Sequence, residues 1–247
     1  MAVDDSYTKS LLHCDGADTS TTITDESGKT WTAVANAQID TTAKKFGTGS
    51  VIFDGTDDII TCPTSADWDI GSGDFTVDFW LYPTTAARQG VFYLSYDTHY
   101  HFGIDFHYSG TRNINIWGSS NGSAWDILTA DGSGNGTGGT SLALTTWSHV
   151  AVTRSGNVWR TFINGVKDIE QTAAGTILDS NETIMFGNWK IGALSYFSGQ
   201  LDEFRFSLGI ARWTANFTVP TTSYPLSTTN YLKQYRRNRI PGLITGL

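Results

Sequence analysis

Three stretches of this 247-residue chain repeat polar and aromatic side chains at a spacing of two, the period that sends them to one side of a β-strand. In HYHFGIDFHY (99–108), His99, His101, Asp105 and His107 alternate with Phe102, Ile104 and Phe106. Further on, Asn113, Asn115 and Trp117 alternate with Ile114 and Ile116, and in FTVDFWLY (75–82) Asp78, Trp80 and Tyr82 alternate with Val77, Phe79 and Leu81. Sugars are held by flat aromatic rings against their C–H faces and by directed polar groups on their hydroxyls. Trp117, Asn115, Asn113, His99, His101, Asp105 and Trp80 are therefore the candidate carbohydrate-binding residues, with the row expected to face solvent. Two other readings stay open: an ordinary polar sheet face, and tryptophans tucked under loops as a satellite core. His99, His101 and Asp105 could also take a transition metal, whereas His107, at about 3.3 Å per residue, lies too far from His99 to share one ion.

A second kind of chemistry is suggested by LDEFRF (201–206). Strict alternation puts Asp202 with Phe204 and Phe206, and Leu201 with Glu203 and Arg205. If the phenylalanine face is core, Asp202 points inward, which is costly unless the carboxylate is hydrogen-bonded, paired or coordinated. The glycine-rich ADGSGNGTGGTS (130–141) has no Gly-Lys-Ser/Thr ending and precedes a strand, so it reads as a flexible loop and not a phosphate cradle. Two cysteines cannot supply a zinc site, and Cys14 and Cys62 read as buried thiols in a cytosolically made chain, with a disulfide between them left open by the sequence.

The elements that must position these groups are strands. Aromatic residues make up 13% of the chain and glycine contributes 26 residues, a composition that suits strands and turns. WSHVAVTRSGNVWRTFINGV (147–166) shows period two on both sides of Ser-Gly-Asn and ends on Asn164-Gly165, the pair that a type I′ turn needs. A third strand, 166–171, should follow, giving a meander. Strands are expected at 11–13, 50–53, 59–62, 75–82, 91–95, 100–108, 113–117, 125–128, 147–154, 158–163, 166–171, 183–189 and 197–207. So many short strands separated by turns imply an all-β fold, a two-sheet antiparallel β-sandwich. Regular patterning ends near Tyr224-Pro225, dividing the chain into a sandwich at 1–225 and a tail at 226–247.

The net charge of −8 is uneven. The last seventeen residues carry Lys233, Arg236, Arg237 and Arg239 and no acid, leaving the body with 12 basic residues against 24 acidic ones. Such a body repels nucleic acid and anionic membrane, while the tail suits docking onto an acidic partner. The first residues lack a basic region followed by an apolar one, and no run approaches about 18 apolar residues. Synthesis in a cytoplasm without membrane insertion is the expectation.

Four stretches in order, FGTGSVIFDGTDDII (46–60), GDFTVDFWLYP (73–83), the meander at 147–166 and GQLDEFRFSLGIARW (199–213), together resemble the concanavalin A-like lectin/glucanase superfamily, in particular its laminin-G-like jelly-roll branch. LLHCDG near the start and IARWTANFTVPTTSYP near the end look like the versions found in bacteriophage virion proteins. The resemblance implies a sandwich with a concave face that often binds glycans, and a structural Ca²⁺ held by the acidic residue of the last strand and the loop after the first, here Asp202, Asp15 and the Gly16 carbonyl. It does not imply an activity. Retaining glucanases of this superfamily carry two glutamates four residues apart on one strand, because nucleophile and acid must sit about 5–5.5 Å apart. Here none of Glu26, Glu170, Glu182 and Glu203 lies within four residues of another, and the corresponding strand, DFTVDFW, carries Asp74 and Asp78 at that spacing with Thr76 between them. The expected function is a non-catalytic virion surface protein, a decoration or tail-associated component, that binds glycans weakly and works as an oligomer within an assembly, its basic tail docked on other virion proteins. The alternatives are a purely structural capsid or tail protein without a ligand and, more distantly, a glycoside hydrolase.

Overall fold

The structure of the chain, a computed structural model, describes residues 5–95, 99–107, 110–130, 134–179, 182–188 and 195–225. Among these residues the regular elements are β-strands and one 3₁₀ turn at Ala66–Trp68. Because alternate side chains of a strand leave by opposite faces, the apolar half of each strand has to be covered, and two sheets stacked face to face achieve this.

The eight-stranded sheet runs in the order β13 (Val166–Thr172), β12 (Val158–Ile163), β11 (Ser148–Ser155), β7 (Phe75–Pro83), β15 (Ser198–Leu208), β5 (Ser50–Asp54) and β4 (Gln38–Asp40), with β1 (Thr8–Leu12) also paired to β15. The seven-stranded sheet runs β10 (Ile114–Gly118), β9 (Phe102–Phe106), β8 (Gln89–Tyr93), β14 (Ile184–Phe186), β6 (Ile59–Cys62), β3 (Thr30–Val34) and β2 (Thr22–Thr24). Every pairing is antiparallel. The two-layer all-β expectation and the central meander are what the structure shows. Asn164 and Gly165, at φ 51° and 79°, form the turn between β12 and β13.

Aromatic rings join the layers: Phe75 meets Phe102 at 5.3 Å between centroids, Phe79 meets Phe186 at 5.9 Å, and Phe204 meets both Phe186 at 4.7 Å and Phe92 at 5.7 Å. Each such pair is worth about 0.5–1.5 kcal/mol beyond the area it buries. Cys14 and Cys62 are buried free thiols.

Three strands were not visible in the sequence pattern. β2, β3 and β4 are three to five residues long and each commits only one side chain deeply to the core: Ile23, Trp31 and Ile39. One apolar residue in a threonine-rich segment carries no recognisable period. Conversely, 125–128 is not a strand; only Leu128 bridges to Gly118. The described part of the glycine-rich stretch is also not the free loop its composition suggested. It lies along β10, with Ile116 N–H donating to Gly136 O at 2.9 Å and Gly138 N–H to Asn115 Oδ1 at 3.2 Å. A Cβ on Gly136 or Gly138 would collide with the carbonyl oxygens of Ile116 and Ile114, so glycine is needed here for close backbone approach.

Candidate functional site

β9 and β10 belong to the seven-stranded sheet and β7 to the eight-stranded one, so the three polar rows do not share a surface. Trp80, with Asp78, faces outward from the opposite side of the sandwich. Its ring lies under Lys45, whose Nζ is 3.9 Å from the ring centroid, and against Phe46 and His149. At 4% exposure it offers no platform to a sugar, which corrects the grouping of Trp80 with Trp117.

On the seven-stranded side the row exists but is covered. Asn115 is paired in register with Asp105, and its Nδ2 donates to Asp105 Oδ1 at 2.9 Å. Asn113 Nδ2 donates to Gly138 O. Both asparagines therefore hold the glycine-rich stretch against β10. His101 N–H donates to the Tyr93 hydroxyl oxygen at 3.2 Å, and its Nδ1 lies 3.2 Å from Leu178 O. Trp117 packs with Tyr93, Met185 and Ala130 in a small apolar cluster outside the sheet. Asn113, Asn115, Trp117, His101 and Asp105 are all 3% exposed or less, so the expectation of a solvent-facing row is corrected. The cause is tertiary: residues such as Ala130 and Gly138, from the segments after β10, fold back over the face. What remains accessible is its rim. His99 is exposed, Tyr100 and Trp125 are half-buried with rings 4.6 Å apart, Trp125 backs onto Trp117 at 5.3 Å, and the Arg88 side chain is 38% exposed. Arg88 reaches from this rim to Asp105 at 3.4 Å. Burial pushes the Asp105 carboxyl up to about 6, against the opposing pull of Asn115 and Arg88.

The acidic residues near the end of β15 sit differently from strict alternation. Between Asp202, opposite Trp80, and Arg205, opposite Asp78, β15 has one residue more than β7. Glu203 takes up the difference at φ 49°, a bulge that adds one residue to the strand and turns the following side chains over. Asp202 consequently leaves on the outer face with Trp80, and not on the Phe204 and Phe206 face as alternation predicted. There it is fully buried under residues 45–46, with Oδ2 accepting from Lys45 N–H at 2.7 Å and Phe46 N–H at 3.0 Å, while Oδ1 has no hydrogen-bond partner among the described residues. Burial raises its carboxyl to about 7. An orphaned, buried carboxylate oxygen fits a hard cation or a proton. Asp15, exposed, accepts through Oδ1 from Thr48 N–H and from Thr48 Oγ1, which also takes the Gly16 N–H at 3.2 Å. Of the expected cation set, Asp202 offers an open oxygen, while Asp15 and Gly16 are engaged with Thr48 of the adjoining loop. Among the described residues, Asp54, Asp57 and Asp58 form a convergent carboxylate group, which the sequence reading did not single out.

The largest polar construction was missed altogether. Arg205 donates from Nε and Nη2 to Asp78, both at 2.9 Å, with the two side chains 2% exposed or less. Tyr224 O–H donates to the same carboxylate and lies 3.1 Å from His149 Nε2. Burial would raise Asp78, but Arg205 and His149 hold it down at about 2. Glu203 accepts Tyr224 N–H at 2.8 Å and pairs with His13 at 2.9 Å. Residues 209–225 thus form a belt across the outer face of the eight-stranded sheet. Asp74 accepts Gly156 N–H at 2.7 Å, so neither member of the Asp74 and Asp78 spacing is a free carboxylate. One signal was available: β7 and β15 are buried on both faces, yet β7 carries Asp78 as its one charge and β15 carries Arg205 as its one basic residue. Lys233, Arg236, Arg237 and Arg239 lie outside the described residues.

Two curved antiparallel sheets with these pairings define a lectin/glucanase-like β-sandwich, and residues 54–208 match a laminin G family profile described as the concanavalin A-like lectin/glucanases superfamily. The chain belongs to that superfamily. No curated protein matches the sequence significantly. Among solved structures, domain 4 of AbnA, a GH43 extracellular arabinanase from Geobacillus stearothermophilus in complex with arabinotriose, is similar with a TM-score of 0.57 and 18% identity over 82% of this chain and 92% of that one. The binding domain of Paraclostridial Mosquitocidal Protein 1 is similar with a TM-score of 0.56 and 16% identity, over 94% of this chain and 53% of that one. A Trypanosoma rangeli sialidase bound to sialic acid gives 0.55 and 11% over 85% of this chain and 32% of that one. At these identities the likeness concerns the fold, which binding domains and hydrolase chains share.

The two buried aspartates give opposite pH signatures. Asp78 titrates below its ordinary 3.8, so its contribution is present above that value and is lost as pH falls toward about 2. Asp105 titrates above 3.8, so stability is gained as pH falls through about 6. In urea unfolding across this range, Asp78→Asn is expected to cost about 3–5 kcal/mol at neutral pH, with the deficit shrinking in acid. Asp105→Asn is expected to add about 1–3 kcal/mol at neutral pH and nothing near pH 4.

Proposed function

We propose that this chain is a non-catalytic adhesive module that binds glycans weakly at the rim of the seven-stranded face. The observation that carries the reading is the graded aromatic set Tyr100, Trp125 and Trp117, half-buried outside and buried within, beside the Arg88 guanidinium. It is supported by the arabinotriose in the arabinanase domain and by the toxin binding domain, which share the fold. The non-catalytic part is supported by the state of four buried carboxylates: Asp78, Asp105, Asp25 and Glu203 each accept hydrogen bonds from protein donors. On a glycan array, Trp125→Ala is expected to abolish binding while leaving circular dichroism unchanged. Retained binding in that variant would refute the site.

A purely structural role without any ligand is the second reading, and the burial of Asn113, Asn115 and Trp117 favours it. An array on which the unaltered chain captures no glycan would decide for it.

The setting we propose is a virus particle, on the resemblance carried by LLHCDG and IARWTANFTVPTTSYP, with the basic tail docked on an acidic neighbour in an oligomeric assembly. Truncation after Leu226 is expected to prevent incorporation into particles without lowering the melting temperature of the body. Normal incorporation would remove the docking role.

A structural Ca²⁺ at Asp202, with Asp15 and the Gly16 carbonyl, is proposed on the orphaned Asp202 Oδ1. It would supply charge compensation to a buried carboxylate and tie the loop after β1 to β15. At roughly a hundredfold excess over Kd, calcium is expected to stabilise the fold by about 2–3 kcal/mol, reversed by chelator and absent in Asp202→Asn. An unchanged melting temperature would exclude the site.

A further inference from the structure

Beneath the belt, on the opposite side of the sandwich from the aromatic rim, lies a cavity of about 610 Å³ lined by Asp5, Arg205, Arg212, Trp213, Tyr224 and residues 218–223. That volume is in the range of small-molecule sites. The belt residues follow the segment matched to the superfamily, which ends at 208, so the enclosure is built by this chain's own C-terminal region.

We propose that this cavity binds a small hydroxylated carboxylate of the sugar-acid class. The anchoring charge is Arg205, 2% exposed and held between Tyr224 at 4.3 Å and Trp213 at 5.5 Å. It meets Asp78 side-on through Nε and Nη2, which directs Nη1 away from that carboxylate, and Nη1 has no protein partner among the described residues. A buried, rigidly oriented guanidinium N–H is a strong donor to a carboxylate. The other charges on the wall are matched to each other: Arg212 donates from Nη2 to Asp5 at 2.9 Å and from Nη1 at 3.2 Å, and its Nε donates to Ser207 Oγ at 2.8 Å. With Arg212 matched by Asp5 and Arg205 by Asp78, the wall has no surplus positive charge to hold dianions such as phosphate esters, while a single carboxylate needs only the one open donor. Thr218, Thr221, Thr222 and Ser223 present hydroxyls around the cavity, and Ile210, Val219 and Pro220 supply an apolar wall. A ring that carries hydroxyls on its rim and one carboxylate at its end matches this distribution.

The test uses the full chain, with glucuronate and galacturonate as probes and glucose and galactose as their neutral counterparts, read by isothermal titration and saturation-transfer NMR. The uronates are expected to bind saturably and at least about tenfold more tightly than the neutral sugars. Since loss of Arg205 strands Asp78 and can unfold the chain, the decisive variants are Thr222→Trp and Ser223→Trp, which fill the cavity from its exposed wall and should weaken uronate binding at least about tenfold. Trp125→Ala should leave uronate binding intact, which separates this site from the aromatic rim. The proposal is overturned by absence of saturable uronate binding, by equal binding of the neutral sugars, or by unchanged binding in both cavity-filling variants.

Discussion

The pairing of Asp78 with Arg205 is the interaction on which the rest of this molecule depends. It links β7 and β15, the two central strands of the eight-stranded sheet, at a point where both side chains are cut off from water. Two buried charges are tolerable only when mutually compensated and hydrogen-bonded, and the remaining capacity of the carboxylate is met by Tyr224. Tyr224 brings the belt with it. The belt then places Trp213 and Phe217, stacked at 4.0 Å, over His149 and Phe162. One ion pair thereby sets the strand register, the cover of the outer face and the shape of the cavity beneath it.

The two outer faces of the sandwich are closed by different physics. On the eight-stranded side an aromatic belt is held by polar caps at its ends, with Thr76, Thr153 and Glu203 meeting its backbone. On the seven-stranded side a glycine-rich stretch lies flat on β10 because glycine allows its backbone to approach the strand, and Asn113 and Asn115 take up its polar groups. In both cases, polar side chains of types that recognise ligands are engaged in holding the chain's own backbone. The rim and the cavity are the two accessible places at which ligand binding is proposed.

Much of the fold was legible from particular residues. The alternation in 147–171 with Asn164-Gly165 located three strands and a turn, and Phe75 to Tyr82 announced a strand through the alternation of Val77, Phe79 and Leu81 with Asp78 and Trp80. β2 to β4 were not legible, since a strand of three residues held by one inward side chain has no period to detect. The candidate site was legible in composition and not in arrangement: Trp117, Asn115, Asp105 and His101 do lie together outside one sheet, as alternation required, but under cover. Trp80, identical in type and local pattern, lies on the far side.

What the amino-acid sequence determined by itself was the division of each strand into an oily side and a polar side, because backbone pleating makes that a local property of period two. Tertiary structure alone decided which polar sides share a surface and what lies over them. Those outcomes rest on partners as distant as Tyr224 and Asp78, 146 residues apart, and Glu203 and His13, 190 apart. They rest also on one extra residue at Glu203, which turned Asp202 from the phenylalanine face to the opposite one and left no trace in the spacing of side chains.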